Sequence, residues 1–357
     1  MKKILGKILI STVVVLNLNT SFSHAISIDE LINEALENSP KIMESQLDIE
    51  SKKVDLYDLK KQIDKADEND LDKVEKEILR IKYDYNQKIY EKYPKQILNL
   101  EKTNIKKKLY EYIYQNNLFN QNKKDLDQKK LDYELAKKKS NQGDISSLEL
   151  ASIEYNYQLA KLNYADSKNN LNKIREELNI LLGKSIDMDI DISYDLDIID
   201  IDLNEFDNDD IYAFNLENNI ELLNLELSKI LKEREYNSYI VTFSQASVEA
   251  RNKKIAMTKS HIEYENYKNT LKSDISYELK SLMNEKENIN IKINEFNLKE
   301  LEYNLAKKQY EKGQISLIDL NNKYHAYSIS KYDYEKAIFD YNMNLLDFIR
   351  NYNIDSI

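Results

Sequence analysis

The clearest pattern in this sequence is a series of mostly apolar positions that recur at alternating spacings of three and four residues between Leu150 and Leu181. Such spacing is typical of a helix whose apolar stripe packs against a second helix, as in a coiled coil. A second series follows in the other half of the chain, where we expect Lys323, Ser330 and Asn344 to interrupt it. The members of the two series are Leu150, Ile153, Tyr157, Ala160, Tyr164, Ser167, Leu171, Ile174, Leu178 and Leu181, and then Leu320, Tyr327, Tyr334, Ala337 and Tyr341.

Long helices are expected because residues that break helices are rare. The 357 residues include only 4 glycines and 2 prolines. No strong breaker occurs from Lys95 to Asn141, and a continuous helix over that stretch would be about 70 Å long at about 1.5 Å per residue. The sequence therefore predicts an all-α fold of elongated, antiparallel, coiled-coil-like hairpins.

The sequence also contains a long internal repeat. The segment that starts at Leu131 returns at Leu301, 170 positions later and without a gap. A further match, Leu36-Glu37-Asn38 with Leu216-Glu217-Asn218, is displaced by 180 positions. We therefore predict two tandem helical repeats, residues 26–183 and 206–357, each with a short leading helix followed by a long hairpin. Identical pairs include Tyr133/Tyr303, Leu135/Leu305, Ala136/Ala306, Gly143/Gly313, Ile145/Ile315, Ser146/Ser316 and Leu150/Leu320.

The centre of each repeat has the pattern of a helix end followed at once by a helix start. Glycine adopts the left-handed conformation that terminates many helices. A serine three residues later can accept from an unpaired backbone N–H of the next helix, and an acidic residue completes a capping box. Taken alone, this pattern indicates a well-capped hairpin whatever the function is. The residues concerned are Gly143, Ser146 and Glu149 in the first repeat, and Gly313, Ser316 and Asp319 in the second.

An acidic linker, residues 184–205, joins the repeats. Isoleucine or methionine alternates with aspartate from Ile186 to Ile192, and the alternation continues at Ile201-Asp202-Leu203. A period of two favours an extended strand or strap with one face against the helices. Calcium binding by the aspartates is the alternative, but the glycine turn and terminal glutamate of an EF-hand loop are missing.

The first 25 residues are typical of an export signal. Lys2, Lys3 and Lys7 precede an apolar run from Ile8 to Leu18, and Ser23-His24-Ala25 has the form of a cleavage site. A retained membrane anchor is the alternative, although the run is shorter than the roughly 20 residues of a spanning helix. No later segment is apolar enough to span, so we expect an exported protein that associates with membranes only indirectly.

The chemistry of the chain points away from several functional classes. A formal net charge of −11 without a dominant basic face disfavours nucleic-acid binding. The chain has no cysteine, and only His261 and His325 remain after the signal; neither belongs to a pair with metal-ligand spacing. No phosphate loop, nucleophile elbow or dinucleotide fingerprint occurs. We therefore predict a protein that is not an enzyme and uses no cofactor or metal.

These features together resemble the TolC-type outer-membrane efflux family. The resemblance rests on Leu135-Ala136-Lys137-Lys138 through Gly143 to Leu150, on the counterpart from Leu305 to Leu320, on the end of the first half at Leu178-Asn179-Ile180-Leu181-Leu182-Gly183, and on the opening Ala35-Leu36-Glu37-Asn38-Ser39-Pro40. It covers nearly the whole chain after the signal. It implies a homotrimer in which each protomer adds two hairpins to a hollow α-barrel, acting with a periplasmic adaptor and an inner-membrane pump.

The resemblance also implies roles for residues at the hairpin turns. The tips that meet the adaptor would be Gly143, Asp144, Ile145, Ser146, Ser147 and Leu148 in the first repeat, and Gly313, Gln314, Ile315, Ser316 and Leu317 in the second. An aperture of acidic residues just beyond the turns would correspond to Glu149, Asp319 and Asn322. Because Asn322 stands where the family has a second acidic residue, this aperture would be less selective for cations.

One departure from the family concerns its membrane strands. The region from Lys60 to Tyr93 has the pattern of a charged helix with a polar bend at Ala66–Asp70. The equivalent region of the second repeat offers only Tyr239–Phe243 before helical character resumes at Ser247, which is too short to span a membrane as a strand. We therefore expect a variant with little or no β-barrel, whose leading helices fold back onto the long ones. The alternative function is an exported coiled-coil structural or interaction protein without transport activity.

Overall fold

The computed structural model of the protein describes residues 28–68, 73–190 and 196–354. In these ranges the chain forms eight α-helices and one short 3₁₀ turn, Leu203–Glu205, with no β-strand. The predicted all-α fold is confirmed, while the predicted export signal, residues 1–25, lies outside the described residues. The helices are α1 (Ile28–Asn38), α2 (Pro40–Glu68), α3 (Lys73–Gln142), α4 (Ser147–Leu181), α5 (Asn208–Asn218), α6 (Ile220–Thr242), α7 (Val248–Glu311) and α8 (Leu317–Asn351).

The same order of helix lengths occurs twice along the chain. Helices of 11, 29, 70 and 35 residues are followed by helices of 11, 23, 64 and 35 residues. At about 1.5 Å per residue, α3 and α7 are each roughly 100 Å long. The helix predicted for Lys95–Asn141 therefore extends further upstream, passing through Pro94.

The helices lie side by side in a single layer. In the half near the glycine turns, α3 packs between α4 and α8, and α7 packs against the other side of α8. In the opposite half, α2 packs against α3, while α6 packs against both α3 and α7. The expectation that the leading helices fold back onto the long ones is confirmed. The layer therefore has two open edges, one formed by α2 and α4 and the other by α7.

The predicted seam of α4 faces α3, and each of its ten members is buried or half-buried. The prediction was wrong at Ser330 in the second repeat, because this serine is 3% exposed and packs within the seam of α8. Its hydroxyl donates to the carbonyl oxygen of Tyr327 at 2.8 Å, so its polar group is satisfied by its own helix. Lys323 and Asn344 are exposed, as expected of interruptions.

The hydrophobic core lies near the middle of the long helices, which we call the waist, where side chains of α1, α3, α4, α5, α7 and α8 meet. Ile105 and Leu109 of α3 pack with Leu345 of α8, and the rings of Tyr114 and Phe339 stack with centroids 4.5 Å apart. These side chains hold the two hairpins together because their burial removes a large apolar area from water.

The described parts of the linker wrap around this waist. Asn342 of α8 is fully buried and holds the linker through two hydrogen bonds from its side-chain amide. Its Oδ1 accepts from the backbone N–H of Ile199 at 2.9 Å, and its Nδ2 donates to the carbonyl oxygen of Asp197 at 2.8 Å. Leu196 and Leu203 point into the core, whereas Asp197 and Asp200 are exposed. Residues 196–202 thus form an extended strap with one apolar face. The prediction was wrong at the start of the linker, where the N–H of Met188 donates to the carbonyl oxygen of Ser185 at 2.9 Å in a turn and the side chains of Ile186 and Met188 are both about half exposed.

A short turn joins α6 to α7 at the end of the layer opposite to Gly143 and Gly313. Helix α6 continues to Thr242, so all of the apolar segment Tyr239–Phe243 is helical except its last residue, the extended C-cap Phe243. Ser247 then caps α7 by accepting from the N–H of Ala250. The bend predicted at Ala66–Asp70 begins in helix and ends outside the described residues. None of the described helices combines the length and the apolarity that crossing a bilayer requires.

Candidate functional site: the hairpin tips and the open edges

The first hairpin turn is built on Gly143, whose φ is +82°. Its N–H donates to the carbonyl oxygen of Ser140 at 3.1 Å, and the N–H of Asp144 donates to that of Lys139 at 2.9 Å. This is the Schellman pattern, which satisfies the last carbonyls of α3. Ser146 then starts α4 by accepting from the N–H of Glu149 at 3.1 Å. The chain therefore reverses within a few residues.

The second turn repeats this geometry and adds two bonds to the side chain of Asp319. Gly313 has a φ of +69° and donates to Tyr310, and Gln314 donates to Gln309. Ser316 and Asp319 form a complete capping box, with each side chain accepting from the backbone N–H of the other residue. The box predicted for the first turn is only half formed, because the Glu149 side chain is not bonded to the N–H of Ser146.

The structure gathers each predicted set of tip residues into one exposed turn. Both turns lie at the same end of the layer, because the last part of α3 packs against the first part of α8, as Lys129 does against Tyr324. Leu148 is 80% exposed, which is unusual for a large apolar side chain without a partner, whereas Ile145 and Ile315 are half-buried and anchor their turns. The other tip positions, Gly143, Asp144, Ser146, Ser147, Gly313, Gln314 and Ser316, are exposed, and Leu317 is half-buried.

The three predicted aperture residues differ in how they are held. The Oδ2 atom of Asp319 accepts from the N–H and the hydroxyl of Ser316, at 3.2 and 2.7 Å. These bonds from Ser316 hold the pKa of the Asp319 carboxyl below its usual value. Glu149 is half-buried one turn into α4, and Asn322 is exposed.

The two hairpins touch through charged groups in the stretch between the waist and the tips. On α3, Lys129 and Asp132 are nearly fully buried, and Asp125 is half-buried one turn away. The Lys129 ammonium lies 5.4 Å from the ring centroid of Tyr324 on α8. Burial raises the pKa of both the Asp125 and Asp132 carboxyls. This contact between the hairpins is therefore more polar than the one at the waist.

A stripe of exposed apolar side chains follows the free edge of α4, and the sequence reasoning missed it. Its members are spaced three, four or seven residues apart, but are offset by two positions from the buried seam and so lie on the opposite side of the helix. A similar stripe follows α2, on the same edge but in the half of the layer farther from the glycine turns. The members are Leu148, Tyr155, Leu159 and Leu162 on α4, and Met43, Leu47, Val54 and Tyr57 on α2.

The other edge, formed by α7, carries an equivalent stripe at matching heights. Four members lie about as many residues from Gly313 as the members of the α4 stripe lie from Gly143. They are Leu305, Leu301, Leu298 and Ile291. Ile255 and Ile262, near the start of α7, lie at the level of the end of α2. All of these are more than half exposed, as is Tyr277 between them. Single exposed apolar residues are common on protein surfaces, whereas regularly spaced stripes on two opposite edges indicate missing partners.

Neither histidine lies in a site suited to metal binding. His261 on α7 faces Glu233, with Nε2 and Oε2 3.7 Å apart, and His325 lies on the exposed side of α8. Within the described residues, no group of three histidine or acidic side chains is arranged to hold a metal ion.

Comparison with solved structures identifies the architecture. The chain superposes on the outer-membrane channel OprN with a TM-score of 0.69, covering 91% of this chain and 89% of that one at 10% identity. The outer membrane protein VceC from Vibrio cholerae gives 0.67, with 90% and 95% covered at 9% identity. The CmeC channel of Campylobacter jejuni gives 0.66, with 95% and 90% covered at 13% identity. The chain has the fold of the TolC-type outer-membrane channels.

The resemblance found in the sequence is thus confirmed at the level of the fold. No protein-family model and no curated protein sequence matches the chain. Identities of 9–13% with the solved channels explain this, because the order, length and packing of the helices persist after most side chains have changed. The proteins of similar structure are channels rather than enzymes.

Proposed function

We propose that this chain is a TolC-like exit-duct component of an envelope efflux or secretion system. In this proposal three exported copies close into a hollow helical barrel and act with an adaptor and an inner-membrane pump, without catalysing a reaction. The observation that carries the proposal is the pair of exposed apolar stripes on the two edges of a single helical layer. The fold shared with outer-membrane channels supports it.

The stripes favour a closed ring over a two-fold dimer. The edge formed by α2 and α4 differs from the edge formed by α7, so the surface that would meet a neighbour is not self-complementary. Contacts between unlike surfaces generate rings when the rotation closes. Matching heights of Leu159 on one edge and Leu298 on the other allow each stripe to cover its counterpart. A ring would give every exposed stripe a partner.

The hairpin tips are the proposed docking surface for the adaptor. Leu148 offers an apolar contact beside the turn of the first hairpin, and both turns present rigid, glycine-based backbone at the same end. The tip segments are 143–148 and 313–317, and the proposed aperture lies just beyond them at Glu149, Asp319 and Asn322. The fixed carboxylate of Asp319 would supply the negative charge there.

The polar contact between the hairpins would allow the hairpins to separate near their tips. Near the waist the hairpins share buried apolar side chains such as Leu109 and Leu345. Nearer the tips they meet at Lys129 and Asp132 of α3. Burying these charged groups costs free energy because they lose their hydration, and they would be hydrated again if the hairpins separated. Opening at the tips would therefore disturb the hydrophobic core little.

The number of chains in the assembly tests the proposal. We expect the chain without its first 25 residues to sediment as a trimer. Leu298→Glu combined with Leu305→Glu should yield a folded monomer, because both side chains are exposed in the single chain and would be buried only between chains. Ile329→Glu is the matched control: Ile329 is an exposed apolar residue on α8, which is flanked by α3 and α7 and so lies away from both edges.

A monomeric or dimeric wild-type chain would refute the duct, because neither encloses a lumen. Such a result would instead favour an exported coiled-coil scaffold without transport activity. Loss of the trimer in the Ile329→Glu control to the same extent would show that the edge stripes are not the interface.

A further inference from the structure

A cavity of about 570 Å³ opens at the waist, at the joint between the start of α6 and the end of α8. Helices α3 and α7 form its two sides. Its volume is within the range of small-molecule sites, which is about 300–1,000 Å³. None of the residues in the edge stripes lines it, so ring closure does not by itself fill it.

Three tyrosines and an apolar floor give the cavity its shape. Tyr93, Tyr267 and Tyr352 come from α3, α7 and the end of α8. Tyr352 is 4% exposed, and Leu271 beneath it is 7% exposed. The Tyr267 hydroxyl donates to Oδ1 of Asn219, the residue that caps α6, at 3.3 Å. The rings are therefore held by the surrounding helices rather than free to collapse into the cavity.

Three carboxylates also line the cavity: Glu221 at the start of α6, and Asp274 and Glu278 one turn apart on α7. Within the described residues none of them forms an ion pair. Arg350 is the only cationic residue in the lining, and its guanidinium pairs with Asp347 at 3.0 Å. Asp347 also pairs with Lys107, at 2.6 Å. The lining itself carries three carboxylates and one guanidinium, an excess of two negative charges. Outside the lining, the Lys52 ammonium lies 4.7 Å from the ring centroid of Tyr93, and the Lys92 ammonium donates to Oδ1 of Asn218.

The protonation behaviour of Glu278 agrees with this excess. Burial raises the pKa of its carboxyl, and the neighbouring Asp274 and Asp347 raise it further, although a hydrogen bond from Tyr352 works in the opposite direction. A positive charge placed in the cavity would relieve this repulsion.

We propose that the waist cavity binds an organic cation, a molecule with one ammonium group on an apolar or aromatic body. Aromatic faces attract such cations, and carboxylates provide the charge complement. The apolar floor at Leu271 would take the rest of the molecule. A bare metal ion fits less well, because the carboxylates sit among bulky tyrosines and no described group is arranged to ligate a metal.

The proposal can be tested on the full chain with benzyltrimethylammonium as the probe, measured by calorimetry. We expect one saturable site per chain. Neopentylbenzene, its uncharged carbon isostere, should bind at least tenfold more weakly. Asp274→Asn combined with Glu278→Gln should weaken binding of the cation at least tenfold, and Tyr267→Leu should weaken it by about 2- to 30-fold.

The control removes the same charge elsewhere on the same helix. Glu263→Gln with Glu287→Gln changes two exposed carboxylates of α7 that do not line the cavity, and it should leave the affinity within twofold. Each variant must keep the helical circular dichroism and the urea midpoint of the parent.

Three results would overturn the proposal. Equal weakening by the cavity and control variants would mean that the probe senses only the net charge of the chain. Equal binding of the neutral isostere would mean an apolar cleft without charge recognition. Displacement of the probe by an equal concentration of calcium would mean an unspecific acidic surface. Since the cavity belongs to one chain, each of these results is independent of whether the chains form a ring.

Discussion

Asn215 of α5 donates from its side-chain amide to the carbonyl oxygen of Tyr352 at 3.0 Å, and so ties the short leading helix of the second half to the end of the last helix. The first half contains an equivalent bond, in which Asn38 of α1 donates to the carbonyl oxygen of Leu182 at 3.2 Å. In both cases the acceptor belongs to the C-cap residue of a long helix, where carbonyls lack partners. These bonds join the ends of each half at the waist.

The two asparagines should contribute unequally to stability. Asn215 is fully buried, whereas the Asn38 bond is only partly buried. We expect Asn215→Ala to lower the free energy of unfolding by about 1–3 kcal/mol, because a buried carbonyl loses its donor, and Asn38→Ala to lower it by about 0.5–1.5 kcal/mol. Urea denaturation followed by circular dichroism measures both.

Asn156→Ala serves as the control for this pair. Asn156 is exposed on α4, and alanine favours helix, so the change should be neutral or slightly stabilising. If Asn215→Ala were as mild as Asn156→Ala, the bond to Tyr352 would not hold the two helices together.

The glycines allow a second comparison between positions with the same backbone conformation. All three described glycines have positive φ, but a Cβ atom at Gly143 would meet nothing within 4 Å, whereas one at Gly183 would lie 2.9 Å from Cγ of Asn38. We expect Gly143→Ala to cost about 1–2 kcal/mol from backbone conformation alone. Gly183→Ala should cost more, because it would also displace the donor to Leu182. Thermal denaturation compares the two.

Gly143→Asn tests whether backbone conformation is the cause at the first turn. Asparagine tolerates positive φ, and Asn353 already adopts a φ of +52° in this chain. The variant should lie between the parent and Gly143→Ala. A larger loss in the asparagine variant than in the alanine variant would point to a steric requirement at the turn instead.

The parts of the fold that could be predicted are those with a local cause. The turn at Gly143 depends on one residue with a rare φ, and the seam of α4 depends on a fixed spacing, so both are visible in the sequence. Ser330 was misjudged because a serine can satisfy its hydroxyl within its own helix and still pack in a seam. The half-formed box at Glu149 differs from that at Asp319 by one methylene, which the motif does not distinguish.

The remaining features depend on contacts between distant residues. Nothing near Asn215 in the sequence indicates that Tyr352, 137 positions away, will accept its bond. The waist cavity likewise brings together Tyr93 and Tyr352, which are 259 positions apart in the sequence. The edge stripes could have been found, because Tyr155, Leu159 and Leu162 keep a helical spacing, but the stronger seam on the opposite side of α4 concealed them.

The unequal caps predict unequal fraying at the two hairpin turns. The Ser316 hydroxyl accepts from the N–H of Asp319, and the N–H and hydroxyl of Ser316 donate to the Asp319 carboxylate. Ser146 only accepts from the N–H of Glu149. We expect Ser316→Ala to cost about 1–2 kcal/mol of local stability and Ser146→Ala about 0.5–1 kcal/mol. Because both turns are exposed and far from the core, hydrogen exchange at the first turns of α8 and α4 is the appropriate measurement. Equal acceleration at both turns would mean that the Asp319 bonds add nothing.

The buried carboxylate of Asp132 predicts a dependence of stability on pH. Asp132 is 4% exposed, and burial raises the pKa of its carboxyl despite a hydrogen bond from Gln128 at 3.0 Å. A group whose pKa is higher in the folded than in the unfolded state stabilises the fold below its unfolded pKa, and this contribution is lost as the pH rises through the folded value. The charged form of the Asp132 carboxyl therefore stabilises the contact between the hairpins less than the neutral form does.

Asp132→Asn should accordingly raise the urea midpoint at pH 7, because the amide keeps the shape of the side chain without its charge. The Lys129 ammonium would keep Asp125 as a nearby opposite charge. As the pH falls from 7 toward about 4, near the unfolded pKa of aspartate, the parent should gain stability relative to the variant and the difference in midpoint should shrink. A variant that is less stable than the parent at pH 7 would show that the charge of Asp132 holds the hairpins together rather than weakening their contact.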